Sequence, residues 1–353
     1  MIKGIEIENF KNLRHVQVMD LQAVNLLIGP NNSGKSNFLK AFEAVANKFA
    51  GKQFPLRDQR KGNRGSVTVK IFFEYINTEY FCRIIIIENQ IPFGTQVPDF
   101  TFFKIENNSV ISAPSNDEPA LLFHLERLFK NVDIYIPTPE ALKRKESIQA
   151  SSVLNSNTGN IVSFLFDLSQ NHRKLFRALE NDLKDCTGDI VSLSTPPVVG
   201  EPGKIEIKFF DKNDNDYQAD EVSDGVLYFL TLLCILYQPN PPKLLLLEEP
   251  EKGIHPRRIH EIMEFIFRLA EDKGVQVILT SHSVHVVDEF AGIPEAVYVF
   301  EKQADGSALI KNLKKEIIEP SNQRSDENNL PRINYTDSLG EHWAIGLLGG
   351  VPV

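Results

Sequence analysis

Eight consecutive residues, Gly29-Pro30-Asn31-Asn32-Ser33-Gly34-Lys35-Ser36, have the types and spacing needed to hold a polyphosphate. They fit the pattern G-x-x-x-x-G-K-[ST] in full. Glycines let the backbone turn so that successive N–H groups face phosphate oxygens, and a helix beginning there adds its positive dipole end. In such a loop Gly29, Asn31, Asn32, Ser33 and Gly34 form the cradle. Lys35 reaches the β- and γ-phosphates, and the Ser36 hydroxyl is a ligand for Mg²⁺. A second run, Leu244-Leu245-Leu246-Leu247-Glu248-Glu249-Pro250, is four aliphatics ending in two acids. A buried strand that delivers carboxylates to its C-terminal end places them where open α/β sheets bind ligands. Glu248 is then expected to hold the Mg²⁺ shell through water, and Glu249 to orient and polarise an attacking water. Thr280-Ser281-His282-Ser283 follows the apolar run Val275–Leu279, which sets His282 at a strand end, placed to sense a γ-phosphate. The ligands implied are ATP and Mg²⁺.

The elements that must position these residues are legible from periodicity. Val24–Ile28 has the length of a buried strand, and Ser36 to about Ala50 reads as a helix with Phe38, Leu39, Phe42 and Val45 on one face. The phosphate loop thus lies between strand and helix, as its chemistry requires. Residues 2–8 alternate as a strand. Val67–Tyr75 and Tyr80–Ile87 read as a hairpin joined across Asn77-Thr78-Glu79. A short strand is expected near Thr101–Ile105, a helix over Pro119–Phe129, a strand over Asp133–Ile136 and a long polar loop over Pro137–Gly159. Ile161 to about Lys184 carries Leu165, Leu168, Leu175, Leu179 and Leu183 at helical spacing. Further on come a strand at Lys204–Phe210, an apolar helix at Val226–Tyr237, a buried strand at Lys243–Leu247, and an amphipathic helix at Pro256–Asp272. The strand Val275–Thr280 and another helix complete the series. Helices alternating with strands that are apolar on both faces predict a mostly parallel sheet with helices on both faces. Val222-Ser223-Asp224-Gly225 precedes the apolar helix; on residues alone this is an ordinary helix start with Ser223 as N-cap.

Composition narrows the class. Of 353 residues, 42% are hydrophobic and 24% charged, which suits a globular chain rather than a disordered one. Cys82, Cys186 and Cys234 form no metal-ligand spacing or disulfide framework. The opening MIKGIEIENF has no apolar signal core, and the apolar run Val226–Tyr237 falls short of the roughly 20 residues that cross a bilayer. A cytoplasmic protein without a membrane partner is expected. A net charge of −9 argues against wholesale wrapping of nucleic acid. One local exception is Arg57, Arg60, Lys61 and Arg64, which read first as a solvated basic loop and second as a DNA contact.

Taken together, these motifs resemble the ABC-type ATPase heads of the RecF/SMC group. More narrowly, they resemble short AAA-labelled bacterial ATPases related to OLD-family proteins, many of them anti-phage. The resemblance rests on I-x-x-F-K-N-L from Ile7 to Leu13, the phosphate loop, Ser223-Asp224-Gly225, Glu248–Pro256 and Thr280–Ser283; residues 51–200 match weakly. It implies a P-loop NTPase fold of ABC/RecF-like type with an antiparallel β lobe and an inserted helical lobe. One ATPase domain would span 1–353. Residues 51–136 would form the β lobe with a variable insert, 137–220 a helical and loop insert, 221–300 the half with signature, carboxylates and histidine, and 301–353 a C-terminal extension. Two copies are expected to dimerise head to tail on ATP, with Ser223 and Gly225 of one capping the γ-phosphate held by Lys35 of the other. Glu251–Pro256 would lie at their interface. Lys11 falls where some relatives place a basic residue near the phosphates, and Gln149 is a candidate for the glutamine linking ATP to the lobes. Glu248 departs from the Asp of many relatives, and Ser-Asp-Gly departs from the Ser-Gly-Gly of transporters.

Two functions follow from the resemblance. One is an ATPase whose turnover gates a DNA-related or anti-phage event through a separately encoded, nuclease-like effector, since no acid cluster after residue 300 resembles a nuclease. The other is an ATP-assembled scaffold that turns over little. The tail from Gly340 to Val353, with the sole tryptophan Trp343, either packs on its own domain or docks on another protein. For the basic segment, changing Arg57, Arg60, Lys61 and Arg64 to Glu is expected to weaken DNA binding and flatten its salt dependence in a binding titration. Identical salt curves for mutant and parent would leave that segment a plain loop.

Overall fold

The computed structural model of the chain describes residues 1–52, 66–87, 99–106, 109–149, 151–252 and 254–351. Arg57, Arg60, Lys61 and Arg64 lie outside the described residues. The chain divides into two compact units, one of residues 1–134, 243–251 and 266–353, the other of 135–242 and 252–265.

In the first unit, the strand Val24–Ile28 is buried along its whole length, as an unbroken apolar run demands. Its one polar member, Asn25, is satisfied: its amide donates to the carbonyls of Gln22 and Val277. Five strands of this unit lie side by side in the order Ala308–Asn312, Val297–Lys302, Val24–Ile28, Gln276–Thr280 and Leu244–Glu248. The three inner pairings are parallel and only the edge pair 297–302 with 308–312 is antiparallel. Register aligns Glu248 with Thr280 and Thr280 with Leu27, so three strands finish level with one another.

A second, fully antiparallel sheet carries the order Leu13–Met19, Ile2–Phe10, Val67–Tyr75, Thr78–Ile87, Phe100–Glu106 and Ser109–Ser112. The β lobe therefore recruits the strands Ile2–Phe10 and Leu13–Met19 as well as those from Val67 onward. Its hairpin turns at Ile76 and Asn77, both with positive φ, so the second strand begins at Thr78, two residues before the Tyr80 expected. Ser109–Ser112 was hidden from periodicity because all four residues are exposed. The helix Lys35–Phe49 packs into one core with both sheets. Phe38, Leu39, Phe42 and Val45 are fully buried there, and Phe38 meets the rings of Phe42 and Phe300 edge to face.

The second unit is mainly helical. The expected helix over 161–184 is two helices, Ile161–Asn171 and Arg173–Thr187, broken where His172 leaves helical geometry at φ −130, ψ 48. Leucines recur at helical spacing on either side of the break, so the pattern reads through it. Lys204–Phe210 is likewise two strands. Ile205 pairs with Glu146, whereas Lys208 pairs with Ser194, and one continuous alternating stretch cannot reveal a change of partner. The helix Asp224–Leu236 is buried almost throughout. Among the described residues no helix is long and apolar enough to cross a membrane.

The C-terminal tail packs on the first unit. Leu339, Trp343 and Leu348 are buried, and the Gly340 amide donates to Asp288 at 2.8 Å. A Cβ added at Gly340 would sit 2.2 Å from the Val284 carbonyl oxygen, too close for any side chain. Gly340→Ala is therefore expected to lift the helix Leu339–Ala344, costing about 1–3 kcal/mol of stability by overpacking. Because Trp343 is the only tryptophan, its emission should shift to the red as melting temperature falls. Unchanged emission and melting would show that the tail does not depend on this contact.

Candidate nucleotide site

The phosphate loop is built where the aligned strands end. Gly29 has φ +143, and a Cβ there would stand 2.3 Å from the Phe300 carbonyl oxygen, so only glycine lets the chain leave the strand. Gly34 has φ +117 and caps the helix, which starts with Phe38 N–H donating to Gly34 C=O at 2.8 Å. Asn12 holds the loop from the side. Its amide donates to the Ser33 carbonyl at 3.3 Å and its carbonyl accepts from Asn37 at 2.8 Å. The backbone carbonyl of Asn12 also accepts from Ala308 N–H.

Lys35 is 6% exposed and its ammonium turns back onto its own loop, donating to the carbonyls of Gly29 at 2.7 Å and Pro30 at 3.1 Å. Burial lowers its pKa to about 8, against the opposing pull of Glu249 and Glu248. A buried cation so weakly compensated is suited to an anion. Ser33 Oγ is buried with no hydrogen-bond partner among the described residues, a second vacancy in the loop's bonding. Ser36 Oγ donates to Glu248 Oε1, which joins a hydroxyl and a carboxylate oxygen across the loop and the neighbouring strand. Oxygen ligands of that kind suit Mg²⁺. The residues present therefore fit a magnesium-bound triphosphate.

Glu249 takes a positive φ of 46, unusual for a residue with a side chain. Two bonds hold it: its N–H donates to the Thr280 carbonyl at 3.1 Å and to Thr280 Oγ1 at 3.2 Å. The Glu249 carboxylate lies 3.6 Å from His282 Nε2, and both are about one-third exposed. Burial, helped by the charge of Lys35, lowers the His282 pKa although Glu249 opposes it, which favours the neutral ring. Asn31, Asn32, Lys35, Ser36, Glu249 and His282 share the lining of a cavity of 270 Å³. That is below the roughly 300–1,000 Å³ that encloses whole ligands, and it suits the phosphate end of a nucleotide.

Not every expected residue lies at this cavity. Lys11 occupies the turn after the first strand at φ 50, with its ammonium 5.6 Å from the Phe10 ring centre, and it does not line the cavity. Gln149 is exposed. Ser223 and Gly225 belong to the second unit. Ser223 does stand at the N-cap position, but its side chain makes no capping hydrogen bond. It lines a separate cavity of 500 Å³ with Tyr217, Phe229 and Arg258. Although larger, that cavity gathers no buried cation and no paired carboxylates at strand ends. Sequence reading passed over Asn12. Its signal was an amide residue beside Lys11 at a strand turn, a type that bonds neighbouring backbone readily.

The fold and site define an ATPase head of the ABC type, similar to those of RecF and SMC proteins. The chain belongs to the family described as "AAA domain, putative AbiEii toxin, Type IV TA system", whose sequence pattern matches residues 82–288. A pattern for an AAA ATPase domain matches residues 1–151. The chain is 29% identical over 177 residues to the DNA replication and repair protein RecF of Caldanaerobacter subterraneus subsp. tengcongensis, covering 49% of this chain and 43% of that one. It thus spans less than half the length of that relative. It is 22% identical over 345 residues to an ATP/GTP phosphatase of Helicobacter pylori, covering 82% of this chain and 87% of the other. An SMC head bound to the C-terminal winged-helix domain of ScpA superposes with a TM-score of 0.52 at 14% identity, over 89% of this chain and 98% of that one.

A pH dependence follows from Lys35. A lysine whose pKa is lower folded than unfolded favours the uncharged folded form, so nucleotide-free stability should rise from about pH 8 toward 10.5. Affinity for an anion runs the other way. Below pH 8 the ammonium is charged and binding should be flat; above it, ATP affinity should weaken by about tenfold per pH unit. Titration with a fluorescent ATP analogue at pH 7, 8 and 9 reads this directly, and a constant Kd would mean Lys35 stays charged throughout.

Proposed function

We propose that this protein binds ATP with Mg²⁺ at the strand ends of its first unit, hydrolyses it, and uses the cycle to control a separately encoded effector. The observation that carries this reading is the convergence of Lys35, Ser36, Glu248, Glu249 and His282 on the ends of adjacent parallel strands. ATP supplies the phosphoanhydride bond to be broken, and Mg²⁺ offsets the charge on its oxygens. Lys35 and the loop amides bind and orient the phosphates. Ser36 and Glu248 hold the metal's shell. Glu249 orients water and takes up its proton, and neutral His282 faces the same cavity as a hydrogen-bonding partner.

Two copies associate head to tail, with Ser223 and Gly225 of each completing the site of the other. The association of an SMC head of this fold with ScpA supports a second protein as partner. The similarity to the DNA replication and repair protein RecF supports a DNA-related process, and the toxin named in the family description supports a defence setting close to that of OLD-family ATPases. DNA contact through Arg57, Arg60, Lys61 and Arg64, a basic contribution from Lys11 and a cytoplasmic location belong to the same reading.

Glu249→Gln separates turnover from assembly. Phosphate release should fall by about a hundredfold or more, the contribution typical of a positioned general base. ATP affinity should hold, and light scattering should find ATP-bound dimers accumulating. Full biological function in this variant would instead support a scaffold that ATP assembles without turnover.

A further inference from the structure

Beyond the acid pair lies a third carboxylate, Glu251, expected only as the edge of an interface segment and given no part in the nucleotide site so far. It is the last residue of the first unit's carboxylate segment, and the chain passes into the second unit at Lys252. Its side chain nevertheless turns inward to the segment bearing His282. Ser281 Oγ donates to Glu251 Oε1 at 2.5 Å, and the His282 backbone N–H donates to the same oxygen at 3.3 Å. Ser281 is fully buried and its hydroxyl also accepts from Ser283 N–H at 2.9 Å. Its own N–H donates to the Leu27 carbonyl, two residues before the phosphate loop. Glu251 Oε2 is buried with no partner among the described residues.

We infer that Glu251 is a positioning residue for His282, fixing the backbone on which the imidazole faces Glu249 and Lys35. The proposal rests on the reading of the site as an ATPase, and it adds the device that aims its histidine. The hydroxyls of the histidine segment divide the work: Thr280 holds Glu249, while Ser281 is held by Glu251. One strand end thereby sets the orientation of both groups that meet across the cavity. Burial raises the Glu251 pKa against the bond from Ser281, which brings the carboxyl nearer to the neutral form that a glutamine imitates. The accepting oxygen, rather than the negative charge, is the feature the arrangement uses.

The test compares Glu251→Ala and Glu251→Gln in the full chain. Readouts are kcat and KM for ATP, Kd for a fluorescent ATP analogue, melting temperature, and ring ¹⁵N resonances of His282 in histidine-labelled protein, assigned with His282→Gln. Glu251→Ala should lower kcat by about tenfold to a hundredfold, the scale of a misplaced catalytic group. Its Kd should stay within about twofold of the parent, and the His282 resonances should move or broaden. Glu251→Gln, which keeps the accepting oxygen, should restore kcat and the resonances. Parental kcat and resonances in Glu251→Ala would overturn the proposal, as would a glutamine variant no better than alanine. So would parallel loss of kcat, Kd and melting temperature, which marks a purely structural role. If the parent has no turnover, the ATPase reading fails, and the His282 resonances alone then decide for or against positioning.

Discussion

The ammonium of Lys35 is held out of bulk water against two carbonyls of its own loop, and the site is arranged around that charge. Leaving a cation in such a place is unfavourable, and the lowered pKa records the cost. Two carboxylates nearby reduce it without cancelling it. A loop that held only the lysine would relax until water reached the charge. Here the loop cannot relax: Gly29 is pressed to the Phe300 carbonyl, Asn12 pins Ser33, and Phe38 one turn into the helix is locked among aromatic rings. Unfilled bonding capacity at Lys35 and Ser33 is thus kept available for a ligand by packing elsewhere.

The same rigidity explains how Glu249 keeps a left-handed backbone. That conformation costs on the order of 1–2 kcal/mol for a residue with a Cβ. Thr280 offsets part of it by accepting from the Glu249 N–H with both its carbonyl and its hydroxyl. The pairing exists only because parallel register sets Glu248 beside Thr280. A shift of one residue would turn the Glu248 side chain to the other face of the sheet and leave Ser36 without its carboxylate partner. Register, not the identity of the acids alone, makes the strand end a site.

Much of this was legible in the chain because the informative signals were local. The phosphate loop needs glycine at positive φ, so Gly29 and Gly34 announce it; Leu244–Leu247 followed by two acids announces a buried strand and its polar end. What stayed hidden depended on partners distant in sequence. The helix break at His172 leaves leucine periodicity intact on either side, and the strand over 204–210 changes neighbour within one alternating stretch. Asn12 looks like any turn residue until Ser33 and Asn37 are brought to it. Glu251 reads as the first residue of an interface segment, since nothing in its neighbours names Ser281 as its donor.

The path of the backbone gives the carboxylate strand a further constraint. Residues 243–251 are a short excursion into the first unit, joined to the second unit at both ends. A displacement carried along the chain through these two joints therefore arrives on either side of Glu248 and Glu249. Both joints are fastened to the same neighbour: at one, Gln276 N–H donates to the Lys243 carbonyl; at the other, Ser281 donates to Glu251. Between them the two strands are paired residue by residue from Leu244–Gln276 to Glu248–Thr280. Separating the carboxylate strand from the strand that leads to His282 would break all of these bonds together, whereas moving the pair as one breaks none of them. The geometry relating Glu249 to His282 is consequently preserved under a pull from either joint, because the force meets a clamped pair of strands rather than a single one.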